Sequence, residues 1–104
     1  MKGVFIPKGV RITLFTVKAP RGVRISVVCR GRTCPVRRFV APAGVRRLRR
    51  FERDLAAGTR LRVDVTKPGF IGKSTVLVIR RSKAPRRLDR CLPPGATRSV
   101  RCPA

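Results

Sequence analysis

The sequence predicts an all-β sandwich of about six or seven short strands. Two observations carry this expectation. Apolar and charged residues alternate along segments rich in β-branched side chains, most clearly "VRISVVC" (23–29) and "TRLRVDV" (59–65). Proline and glycine turn signals such as "APRG" (19–22) and "KPG" (67–69) separate those segments. One stretch departs from the strand period and reads as a short helical crossover.

Residues 1–10, "MKGVFIPKGV", read as an N-terminal extension, and the sandwich domain as residues 11–82. The segment "RITLFTV" (11–17) suits a strand, with adjacent Leu14 and Phe15 pointing to a bulge or two-sided burial. In "VRISVVC", Val23, Ile25 and Val27 face one way, Arg24 and Ser26 the other. The loop "RGRT" leads into "CPVRRFV" (34–40), a weaker return strand that Pro35 consigns to an edge. In "VRRLRRFERDL" (45–55), Val45, Leu48, Phe51 and Leu55 recur at helical spacing, with Gly58 placed to cap the end. This arginine-rich segment is either a nucleic-acid-binding helix or a helical crossover packed on the core. Its shortness and poor N-cap favour the crossover.

Next, Leu61, Val63 and Val65 alternate against Arg60, Arg62 and Asp64. Pro68 followed by Gly69 is a type II turn signal, and "STVLVIRR" (74–81) is a second strong strand. From Lys83 the chain loses periodicity and gains proline, so residues 83–104 read as an irregular tail packed on the domain.

With 27 lysines and arginines against four acidic residues, the net charge is +23. The excess is +13 over residues 1–52 and +10 over residues 53–104, so it covers the fold rather than forming an appended arm. Such a field attracts polyanions: nucleic acid, anionic wall polymer, acidic polysaccharide or an anionic lipid surface. Candidate contacts are Arg30, Arg32, Arg37 and Arg38; then Arg46, Arg47, Arg49, Arg50 and Arg53; then Arg80, Arg81, Arg86, Arg87 and Arg90. The plainer alternative is a solvated surface whose arginine bias follows from a GC-rich coding sequence.

The absences exclude much. There is no His, Asn, Gln, Trp or Tyr. General acid–base chemistry has no His, and Glu52, Asp54, Asp64 and Asp89 each sit among arginines that favour the ionised form. No nucleotide-cradling glycine motif is present. No enzyme, cofactor or small-molecule substrate is expected. Sequence-specific DNA reading lacks its Asn and Gln adenine readers. The five phenylalanines, Phe5, Phe15, Phe39, Phe51 and Phe70, are better suited to core packing than to base stacking. No stretch approaches the roughly 20 apolar residues of a membrane span.

Cys29, Cys34, Cys91 and Cys102 allow three pairings. Their spacings fit neither a zinc ribbon nor a thioredoxin-like redox pair, and no metal is expected. If the strand ending at Cys29 turns back through the loop, Cys29 and Cys34 face each other within disulfide range. A Cys91–Cys102 bond then closes the proline-rich "LPPGATRSVR" and stops the tail from fraying. Local pairing is therefore expected, and with it an oxidising compartment.

With "PRGVRISVVCRGRTCP", "RRLRRFERDLAAGTRLRVDVTKPGFIGKSTVLVIRRSKAP" and "DRCLPPG" in view, the chain resembles small disulfide-containing β modules. These occur in predicted secreted and surface proteins of GC-rich actinobacteria. The resemblance spans roughly residues 19–103 and implies an immunoglobulin-like architecture, within or excised from a longer exported chain; it carries no activity. The functional expectation is a non-enzymatic, secreted or cell-surface structural or adhesive module that binds anionic polymers through a cationic surface. The alternative is an intracellular nucleic-acid-binding protein that grips phosphates through its arginine clusters.

Overall fold

A computed structural model describes residues 1–102. Its eight strands are β1 (Lys2–Ile6), β2 (Gly9–Leu14), β3 (Arg24–Arg30), β4 (Arg38–Val40), β5 (Asp54–Ala56), β6 (Arg60–Thr66), β7 (Gly72–Arg80) and β8 (Lys83–Leu92). They form two antiparallel sheets, ordered β1-β2-β5 and β4-β3-β6-β7-β8. Val10, Ile12 and Leu55 from the smaller sheet join Ile25, Val27, Leu61, Val63, Leu77 and Ile79 from the larger one in a single core. Two sheets sharing one apolar interior are compatible with an all-β sandwich. The alternation in β3 and β6 sends Ile25, Val27, Cys29, Leu61 and Val63 inward, as the sequence period requires.

Phe51 is fully buried at the centre of an aromatic cluster, its ring 6.1 Å from Phe15 and 6.2 Å from Phe39. The expectation that all five phenylalanines pack in the core fails for Phe5 and Phe70, which are 60% and 61% exposed.

The short helical crossover is not formed. Residues 46–48 run extended beside the chain that follows β2: Val17 N–H donates to the Arg46 carbonyl (2.9 Å) and Leu48 N–H to the Phe15 carbonyl (2.8 Å). A single 3-10 turn, Arg49–Phe51, then leads to β5. Backbone groups that a helix would pair internally are taken up by a neighbouring segment. Leu48, Phe51 and Leu55 are all buried along this irregular path, so their spacing satisfied the core without a helix. Gly58 serves a different purpose from a helix cap. It has φ +92° in the turn where Thr59 N–H donates to the Ala56 carbonyl (3.1 Å).

Two further stretches differ from the sequence reading. The first ten residues contribute β1 and the start of β2, and Lys83–Leu92, read as irregular, is the longest strand of the chain. Beyond it the tail returns to β8, where Cys91 and Val100 exchange backbone hydrogen bonds of 2.8 and 2.7 Å. The turn read at Pro68 and Gly69 is present: Phe70 N–H donates to the Lys67 carbonyl (3.1 Å) and Gly69 has φ +77°.

Candidate cationic face

Strand register decides which arginines meet. On the face of the larger sheet turned away from the core, one cross-strand row reads Arg38, Val28, Arg62, Val76 and Leu88, and the next Arg30, Arg60, Val78 and Arg86. Neighbouring strands lie about 4.8 Å apart, so side chains distant in sequence share one surface. Arg30, Arg38, Arg60 and Arg86 are exposed, and none hydrogen-bonds or ion-pairs with another described side chain. Between them run two shallow grooves. One is bordered by Arg30, Gly31, Arg37 and Arg38, the other by Arg30, Arg60, Arg62 and Val76.

Of the residues named from sequence, the fold therefore gathers Arg30, Arg37, Arg38 and Arg86. It adds Arg60 and Arg62, which were read only as the outward half of a strand. Their signal lay in the alternation of "TRLRVDV", whose outward positions the register aligns with those of β3 and β8. Arg62 is held in place, its Nε donating to Asp64 Oδ1 (3.0 Å) and Ser74 Oγ (3.2 Å) and its Nη2 to the Thr97 carbonyl (3.2 Å).

Other candidates are scattered or occupied. Arg46 donates to the Pro20 carbonyl (2.8 Å), Arg47 pairs with Glu52 (2.9 Å), and Arg50 lies 5.5 Å above the Phe39 ring. Arg80 donates to the Ala84 carbonyl (2.9 Å), Arg87 pairs with Asp89 (3.1 Å), and half-buried Arg90 donates to the Ser99 carbonyl (3.3 Å). Arg32, Arg49, Arg53 and Arg81 are exposed, but not in the two rows.

The four carboxylates are each matched to an arginine. Glu52 and Asp54 lie beside Arg49, Arg50 and Arg53 in sequence but form their ion pairs with none of these. Their partners are Arg47 and Arg11. The Arg47 hydrogen bonds and the Phe15 N–H (2.9 Å) hold the Glu52 carboxyl below the ordinary glutamate range. Hydrogen bonds from Arg11 do the same for Asp54, and those from Thr75, then Arg87, for Asp89. Only Asp64 points to the outward face, in the next row beside Ser26 and Ser74, where it pairs with Arg62.

Two disulfides brace this architecture. Cys29 is bonded to Cys34 with a Cα separation of 5.8 Å, and Cys91 to Cys102 at 4.9 Å. The first ties the end of β3 to the loop beneath Arg30, Arg37 and Arg38. The second holds the returning tail against β8. They suggest an oxidising environment, and no helix is long and apolar enough to cross a membrane. No family model, curated protein or solved structure matches the chain.

Proposed function

We propose that this chain is a non-enzymatic, secreted or cell-surface module of immunoglobulin-like architecture that binds anionic polymers, akin to the small disulfide-containing modules it resembles. The observation that carries the reading is the outward face of the larger sheet. Arg30 and Arg60 are directly paired there, Arg86 follows in the same row beyond Val78, and Arg38 stands in the neighbouring row, all without a carboxylate partner among the described residues. The sheet fixes their backbone positions before binding, so only the side chains need ordering, and several spaced cations favour a repeating anion over a single small one. The valines and Leu88 between the arginines supply a shallow apolar floor and none of the polar readers that base recognition uses. Wall polymer or polyphosphate therefore suits the face better than a nucleic-acid sequence. Intracellular nucleic-acid binding is the alternative.

The test is affinity for long-chain polyphosphate at physiological salt, comparing R38S/R60S with R49S/R53S. The pairs remove equal charge, one inside the face and one outside it. The face predicts roughly tenfold weakening for the first pair only, since each charged contact is worth about a kcal/mol or less at an exposed site. Equal losses would reduce the effect to net charge and overturn the reading. Free thiols at all four cysteines in protein blocked at lysis of the native host would instead favour the intracellular alternative.

A further inference from the structure

One end of the fold carries a surface of a different kind. The β6–β7 turn, residues 67–71, projects Phe70 and Ile71 at 61% and 62% exposure, the two most exposed large apolar side chains among the described residues. They are adjacent at the tip of a turn braced by Pro68, by Gly69 at φ +77° and by the Phe70 N–H to Lys67 carbonyl bond. Lys67 folds its ammonium over the Phe70 ring, 5.0 Å from the centroid. The β2–β3 connection stands beside it, with the Lys67 side chain lying close against Gly22. That connection brings Lys18 and Arg21, and Arg24 opens β3 just behind; Lys73, near the start of β7, is already paired with Asp89 (3.9 Å). Residues 67–73 and 15–24 contain no acidic residue.

We infer that this tip is a docking point for an anionic lipid bilayer, with Phe70 and Ile71 entering the headgroup–acyl boundary and Lys18, Arg21 and Lys67 meeting lipid phosphates. A soluble polyanion uses the cations but gives the apolar pair nothing. An apolar protein patch uses the pair but leaves the surrounding cations unmatched. A bilayer surface carrying negative headgroups over hydrocarbon satisfies both. The inference rests on the charge and exposure of the tip alone and is independent of the outward arginine rows.

Because the chain has no Trp, F70W introduces a single fluorophore at the tip. Vesicles of phosphatidylglycerol and phosphatidylcholine should shift its emission to the blue and, when they carry a bromolipid, quench it; pure phosphatidylcholine vesicles should do neither. F70S/I71S should lower partition into the anionic vesicles by at least about tenfold, while leaving polyphosphate affinity as in the parent. F5S removes an equally exposed ring near the opposite end of the sheets and should leave partition intact. Unshifted emission from vesicle-bound F70W, equal losses in F5S and F70S/I71S, or no partition at all would each overturn the inference. The polyphosphate assay fails or succeeds separately, so the two proposals are distinguishable.

Discussion

Glu52 ties two segments together at the cost of one carboxylate. Its side chain is 11% exposed and accepts from Arg47 and from the Phe15 N–H, joining residues 47–52 to the chain after β2. A carboxyl whose folded pKa is depressed contributes stability above its unfolded pKa and loses it as pH falls through the folded value. Thermal melts should therefore fall as pH drops below about 4.3, the unfolded glutamate value, and E52Q should flatten that fall while lowering the melting temperature near neutrality. The other decisive residue is Phe51. It is wholly buried against two rings, and truncation leaves a cavity where neither sheet can collapse. F51A should cost about 3–5 kcal/mol in urea unfolding, much of what a domain of this size has to lose.

The elements differ in what holds them. β3, β6 and β7 are paired on both sides and carry the core. β8 is paired on one side, with Arg87 and Asp89 on its core-facing side and Arg86 and Leu88 on the other. Its remaining edge is covered in part by the returning tail, which the Cys91–Cys102 bond secures. On the loop-entropy account, C91S/C102S should lose about 2–3 kcal/mol. In that variant amide exchange should rise first at positions 91 and 100, with β3, β6 and β7 remaining slow. Pro85, which has no N–H to donate, fits this edge strand, for the β7–β8 register shifts opposite it and the Ile79 carbonyl accepts from the Gly58 N–H (2.8 Å) instead. That arrangement also explains why β8 was illegible. A strand exposed on both faces over residues 86–89 and buried only at its end, Leu92, has no apolar alternation to display, whereas β3 and β6, each with one face in the core, announce theirs.

At the scale of the molecule, 27 basic and four acidic residues make charge the dominant surface property. The logarithm of polyanion affinity should fall linearly with the logarithm of salt concentration, as bound counterions are released. R38S/R60S should lower that slope by about one unit for each arginine that meets a phosphate, and R49S/R53S should leave it near the parent value. Isothermal titration over a salt series measures both. The charge was plain from composition, but its arrangement was not. Arg30, Arg38, Arg60 and Arg86 come from four different strands, and only their register brings them onto one face.

Local rules were enough wherever the physics was local. The period of two placed β3 and β6, a proline–glycine pair specified the turn at residues 68–69, and two short cysteine spacings indicated both disulfides. Composition alone supplied the field that draws anions. The tertiary structure decided what depends on partners remote in sequence. It turned residues 46–48 away from a helix because Phe15 and Val17 lay ready to take their hydrogen bonds. It gave Asp54 its Arg11 and Glu52 the Phe15 N–H, left Phe70 outside the core, and gathered the arginines of β3, β4, β6 and β8 into one face. A sequence carries the propensity and period of each segment; which backbone groups and side chains then meet is set by the packing of whole sheets.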